Sequence, residues 1–213
     1  MPTFHPCPND DGDAVIIGRP SLPTPLSTWA DASQVATAIP GGALPASLNG
    51  IAFASWFDAP TCTRDWSAWT AATEIDEPPF DLPPGFAAAA GAVTVEDDGR
   101  VWLVAPSNGH GGYKATFPKG RVDPGTSLAC AGVREAFEES GLQVRITGFL
   151  LDTRRTQTYT RYYLARRIGG SPARMGWESQ AVHLVPPAQL RSVAGHPNDA
   201  AVIRALEHAL ERR

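Results

Sequence analysis

The 213 residues carry a net charge of −4, with 43% hydrophobic and 19% charged side chains. That supports one medium domain plus an extension, or two small domains, and gives no general reason to expect DNA or a membrane surface as a partner. Cys7, Cys62 and Cys130 form no CxxC pair, which argues against a zinc site and a disulfide scaffold and fits a reducing cytoplasm.

The N-terminus, MPTFHPCPNDDGD, has neither the basic start nor the apolar run of a signal peptide, and no run of about 18 apolar residues suits a membrane span. Residues 1–84 hold two basic side chains against ten acidic ones, whereas residues 85–213 hold sixteen against twelve. A mildly basic second part suits an anionic ligand, or docking of the acidic first part. Thirteen of the twenty prolines and four of the six tryptophans fall in residues 1–84. Prolines break long helices and central strands, while Trp29, Trp56, Trp66 and Trp69 want burial. This part is therefore expected to be an irregular, partly ordered extension or small subdomain, with short strands at Ala14–Ile17 and Gly50–Ala54. A polyproline-like linker is expected over Glu77–Pro84.

The texture then changes. Ala87–Val95 and Arg100–Ala105 read as a hairpin turning at Asp97-Asp98-Gly99. Ser107–Gly112 reads as a flexible loop and Tyr113–Phe117 as a short strand. A helix is expected from Leu128 to about Ser140, with Ser127 as N-cap and Gly141 just past its end. Strands follow at about Val144–Asp152, Thr158–Ile168 and Gln180–Val185. A last amphipathic helix runs from Asn198, its expected cap, to Leu210, with Val202, Ile203, Leu206 and Leu210 as its apolar stripe.

The chemistry concentrates in Gly120–Leu142, GRVDPGTSLACAGVREAFEESGL. Glu135, Glu138 and Glu139 lie at i, i+3 and i+4 and share one helical face. Such crowding destabilises a helix unless a positive charge compensates. A divalent cation such as Mg2+, which prefers carboxylate oxygens, would do so. Arg134 reaches Glu138 at i+4. The preceding loop, with Gly120, Pro124 and Gly125, can bend sharply and present phosphate-binding amides at the helix start. The alternative is a solvated charged face, common on surface helices.

The segment resembles the Nudix box, GX5EX7REUXEEXGU. Gly120, Arg134, Glu135, Glu138, Glu139, Gly141 and Leu142 fall on its fixed positions. Ala136 occupies the first U position, and Thr126 stands where a glutamate is usual. That departure touches the support of the loop more than metal binding, and Asp123 is a candidate to compensate. The resemblance implies an α/β/α sandwich with a mixed β-sheet over about residues 85–213. It implies a hydrolase cutting a phosphoanhydride bond with Mg2+, or Mn2+ in its place.

Carried over, Glu138 and Glu139 would be the best metal ligands, joined by the Lys119 carbonyl. Glu135 would ligate a metal or polarise the attacking water, and Arg134 would orient Glu135. Many members take a further downstream glutamate. Glu178, the only acidic residue between Asp152 and Asp199, is the candidate, against a plain surface-loop glutamate.

Lys119, Arg121, Lys114 and Tyr159 are candidate substrate contacts; on a strand Tyr113 and Lys114 face opposite ways, so Lys114 meets phosphate while Tyr113 packs, or the reverse. Trp177 and Tyr162 or Tyr163 offer faces for a base, although one of these tyrosines is expected in the core. Arg154, Arg155, Arg161, Arg166 and Arg167 read as a basic hairpin, solvated or polyanion-attracting.

The Phe117–Gly125 lead-in and the position of Tyr159 resemble members acting on dinucleoside polyphosphates and diphosphoinositol polyphosphates, which favours those substrates. ADP-ribose or another nucleotide sugar is the second reading. Oxidised nucleotide triphosphates rank third. A nucleotide-binding regulator without catalysis stays open as a reading from a different class. The extension is compatible with a lid, a homodimer arm or a protein-binding segment.

Overall fold

A computed structural model describes residues 2–71 and 75–212, and for Asn108 and His110 the backbone alone. The extension begins with a two-strand hairpin, β1 (Thr3–Phe4) and β2 (Ile16–Ile17), followed by β3 (Ala36–Ala38). A second small hairpin, β4 (Ser47–Leu48) and β5 (Ile51–Ala52), precedes helix α1 (Thr63–Ala71). The strands expected near Ala14–Ile17 and Gly50–Ala54 thus exist but shrink to two residues each.

The remainder contains β6 (Ala87–Thr94), β7 (Val101–Pro106), β8 (Lys119–Arg121), α2 (Leu128–Ser140), β9 (Leu142–Arg154) and β10 (Thr158–Gly170). It ends with β11 (Ser179–Val185), α3 (Leu190–Val193) and α4 (Ala200–Leu210). One sheet has the order β8-β6-β10-β9 and the other β3-β11-β7. The first is mixed, because β10 runs parallel to β6 and antiparallel to β9. Asp97–Gly99 does turn the chain, with Gly99 at φ 85°. The expected β6–β7 hairpin nevertheless opens after one bridge, Val95–Val101, and the two strands enter different sheets. Tyr113–Phe117 keeps only the Val104–Thr116 bridge.

Period-two alternation divides the apolar side chains between two cores. Ala92, Trp102, Val104, Tyr163 and Val182 pack with Cys130, Val133 and Ala136 of α2. Their neighbours Val93, Val101, Leu103, Tyr162 and Val185 pack with Val202, Ile203 and Leu206 of α4. Helices therefore cover both faces of the strands, giving the expected α/β/α sandwich with a mixed sheet.

The extension is built into this core. Trp29, Ala36, Ala38, Leu48 and Trp66 are buried with α2 and β11. β3 pairs antiparallel with β11 through Ala38–Val182 and Ala36–Leu184. Trp56 packs edge-on against Phe137 of α2, 5.1 Å between centroids.

Three arginines of the expected basic hairpin are neither solvated nor available to a polyanion. Arg155, Arg161 and Arg167 are buried. Each meets an acid: Asp199 at 2.9 Å, Asp152 at 2.6 Å with Glu77 at 3.1 Å, and Glu96 at 2.6 Å. Buried cations need such partners. Arg154 and Arg166 are exposed. Tyr162 and Tyr163 are both core residues, which removes them as base platforms.

Helix α2 has the expected ends: Ser127 Oγ accepts from Cys130 N at 3.2 Å, and Gly141 takes φ 70°. Helix α4 differs. A 3-10 turn at Pro197–Asp199 precedes it, and the Asn198 amide donates to the Tyr113 hydroxyl at 2.8 Å instead of capping. All three cysteines are free. No helix among the described residues is long and apolar enough to cross a membrane.

Candidate active site

The site forms where β8, the C-terminal half of α2 and the loop before β11 converge. Glu135 and Glu139 occupy consecutive turns of α2, and Glu178 enters from the loop. One carboxylate oxygen from each lies within 4.8 Å of the others. Glu135 and Glu139 are buried and Glu178 is exposed, so the group sits at a wall with one side open. The wall belongs to a cleft of about 710 Å³ lined by Lys119, Gly120, Arg121, Tyr113, Trp177 and Glu178, among others.

Gly120 explains how Glu135 fits. A Cβ at that position would collide with the Glu135 carboxyl group, so glycine leaves the space the carboxylate fills. The Lys119 amide donates to Glu139 Oε1 at 3.2 Å. Arg134 donates to Glu135 Oε1 at 3.3 Å, ion-pairs with Asp123 and lies 3.7 Å from Glu138. Asp123 therefore ties the loop to α2 through Arg134, next to Thr126, whose buried hydroxyl has no hydrogen-bond partner.

Burial pushes the Glu135 carboxyl group up to about 8, helped by Glu139 and Glu138 and opposed by Arg134. Burial pushes Glu139 up to about 7, opposed by Lys119. Glu138 is also raised, by burial and by Glu178 and Asp10. Desolvation and like charges both favour the protonated acid, and a bound cation would reverse both effects. The donor set is three carboxylates, all oxygen, with one face toward a cleft. It fits a hard divalent ion.

The sequence-predicted residues divide clearly. Glu135, Glu139, Glu178, Lys119 and Arg121 come together in or on the cleft. Arg134 supports Glu135. Glu138 is beside the cluster but about half exposed and outside the three-oxygen group.

Lys114 and Tyr159 do not line the cleft. Lys114 is exposed, whereas Tyr113 is the residue that lines it. Thr158 lines the cleft, so period-two alternation turns the next residue, Tyr159, to the opposite face of β10. There its ring meets Phe80 at 5.3 Å. Of the two opposite-facing neighbours, it is thus Tyr113 and not Lys114 that turns to the cleft. The Tyr113 hydroxyl accepts from Arg155 and Asn198, each at 2.8 Å. Val15, from the extension, also lines the cleft and carried no sequence signal.

A family model for the NUDIX domain matches residues 85–206. An RNA pyrophosphohydrolase of Caulobacter vibrioides is 34% identical over 92 residues, covering 42% of this chain and 50% of that protein. The chain thus spans about half the length of the curated relatives it matches.

Among solved structures, a NUDIX hydrolase from Nitrosomonas europaea superposes with TM-score 0.51 at 16% identity, over 61% of this chain and 74% of the other. It shares the fold. A C. elegans Ap4A hydrolase gives TM-score 0.48 at 22% identity, over 59% and 99%. With the family match covering more than half of the residues, the chain belongs to the NUDIX family.

Proposed function

We propose that this chain is a Mg2+-dependent hydrolase of a phosphoanhydride bond in a nucleoside diphosphate linked to a second moiety. The observation that carries the reading is the meeting of Glu135, Glu139 and Glu178 oxygens within 4.8 Å beside a cleft that also presents Lys119 and Arg121. A diphosphate carries several negative charges that repel a nucleophile. A divalent ion held by Glu135, Glu139 and Glu178 would neutralise that charge and make bound water more acidic.

The remaining work falls to the chain. Lys119 and Arg121 supply positive charge to the non-bridging oxygens, and guanidinium pairs bidentately with phosphate. Glu135 receives the proton from the attacking water at its carboxylate, held in place by Arg134. Glu138, at the edge of the cluster, adds charge that attracts the cation.

Dinucleoside polyphosphates and diphosphoinositol-like compounds are favoured on the Phe117–Gly125 lead-in alone, since Tyr159 packs on Phe80 away from the cleft, with ADP-ribose or another nucleotide sugar second. The curated relative's name adds an RNA pyrophosphate to the panel. The clustered, buried carboxylates favour catalysis over a purely regulatory, nucleotide-binding role, because such a role needs no crowded acids.

A diphosphate panel with Mg2+ or Mn2+, read by phosphate or AMP release, tests the proposal. Turnover of at least one member is expected, with a loss of about 100-fold or more in Glu139→Gln and most activity lost in Glu138→Gln, both variants folded. Nucleotide binding without turnover of any member would leave the regulatory reading in its place.

A further inference from the structure

Trp177 stands immediately before Glu178 and lines the cleft beside it. Its backbone is fixed, since Ser107 Oγ donates to the Trp177 carbonyl and Ser107 N to the Glu178 carbonyl, both at 2.6 Å. Its indole is fixed from elsewhere. Trp177 Nε1 donates to Asp10 Oδ1 at 3.1 Å.

Asp10 lies in the turn between β1 and β2, far outside the family-matched residues. That turn is ordered by its own bonds: Asn9 Oδ1 accepts from Asp13 N at 2.7 Å and from Asp11 N at 3.2 Å. The hairpin is pinned to the domain. His5 and Ile17 are buried, and Ser21 N, just after the hairpin, donates to Gln180 Oε1 of β11 at 2.7 Å, while His5 N closes the hairpin on itself by donating to the Val15 carbonyl at 2.8 Å. Asp10 and Ser21 thus tether residues on both sides of Glu178, while Val15 lines the cleft itself.

The other aromatic in the cleft cannot offer a free face. Tyr113 is stacked by His196 at 4.0 Å and approached by Arg155 at 5.3 Å and Lys119 at 5.5 Å. The indole of Trp177 is half-buried and enters no ring contact among the described residues.

We propose that Trp177 is the platform on which the planar base of a nucleotide stacks, and that Asp10 is a positioning residue that holds the indole at the cleft wall. The N-terminal hairpin is then part of the substrate site. The proposal rests on the reading of the substrate as a nucleotide. Stacking on an aromatic side chain distinguishes a nucleotide from a bare diphosphate, because only the nucleotide has a π-face.

The experiment measures binding of ADP and of inorganic pyrophosphate, each with Mg2+, to the full chain and its variants. Trp177→Ala and Asp10→Ala are expected to weaken ADP about tenfold and to leave pyrophosphate within about twofold. Asp10→Asn keeps an oxygen that accepts from the indole, and it is expected to bind ADP as the wild type does.

Asp10 also faces Glu138 electrostatically, and the asparagine variant separates the two roles. If Asp10→Asn matches Asp10→Ala, charge and not the tether is at work, and the proposal fails. It fails equally if pyrophosphate weakens in step with ADP, if Asp10→Ala changes nothing, or if wild type binds ADP no more tightly than pyrophosphate. Absence of turnover would sink the hydrolase reading without touching this comparison, since binding alone is read.

Discussion

Glu135 and Glu139 sit a turn apart on α2, and burial more than mutual repulsion raises their pKa values to about 8 and about 7 from an ordinary 4.5, making both weaker acids. The sign of the consequence follows. A folded-state pKa above the unfolded one favours the protonated form, so the associated stability is complete below about pH 4.5 and is lost as pH rises through about 7–8. In EDTA, the melting temperature should therefore fall between about pH 5.5 and 8.5, by on the order of 3 kcal/mol or roughly 6–12 °C. Mg2+ binds the ionised carboxylates, so its stabilising effect should be larger at the higher pH. Equal effects of Mg2+ at both values, measured by thermal unfolding, would count against the cluster as its site.

Part of this was legible in the chain. The i, i+3, i+4 spacing marked the acidic face, and Glu178 stood out as the only acid in its region. The spacing did not reveal that Glu138 stays half exposed while Glu178 completes the trio. The resemblance assigned Tyr159 to the site by its distance from the box, and no local pattern says which face of a strand meets a cleft.

At the scale of elements, two glycines set the geometry of α2. Gly120→Ala would push against the far end of the Glu135 side chain, a flexible group that can move. Activity is expected to fall about tenfold or more with a stability change below about 1 kcal/mol. Comparison of kcat/KM with urea unfolding checks both halves.

Gly141→Ala is the opposite case. The residue has φ 70°, and a Cβ there would meet backbone atoms, the Ser171 carbonyl oxygen and Arg174 C at 2.9 Å. Backbone cannot yield as a side chain does, so a loss of about 2 kcal/mol or more is expected by the same unfolding measurement.

The caps of α2 were readable because capping is local chemistry. Asn198 looked like a cap for α4 on the same grounds, but Tyr113 holds its amide. The β6–β7 turn was legible, whereas the divergence of its strands into two sheets is decided by partners distant in sequence.

For the molecule as a whole, the extension is the larger surprise. Its prolines and two-residue strands carry no periodicity, so the sequence reads as irregular. In space it contributes β3 and several core side chains. Arg100 donates to the Trp29 carbonyl at 2.7 Å, and Arg167 donates to the Leu48 carbonyl at 2.9 Å. Those arginines are spent on the extension's backbone, which is why a charge count could not locate them.

Trp29→Ala, at 2% exposure against Phe53 and Trp102, is expected to cost about 3–5 kcal/mol. Chemical denaturation measures it directly, and a cost below about 1 kcal/mol would mean the extension is a detachable appendage.

The central claim is that the Glu135–Glu139–Glu178 cluster holds the divalent ion on which hydrolysis depends. The most direct measurement is a Mn2+ titration followed by electron paramagnetic resonance, with wild type and Glu139→Gln compared at about pH 8, because the raised pKa values of the cluster let protons compete with metal at lower pH. The account predicts bound Mn2+ in the wild type, displaced by Mg2+, and affinity weakened about tenfold or more in the variant. Equal affinity in the two proteins, or no Mn2+ bound to folded wild type, would contradict it.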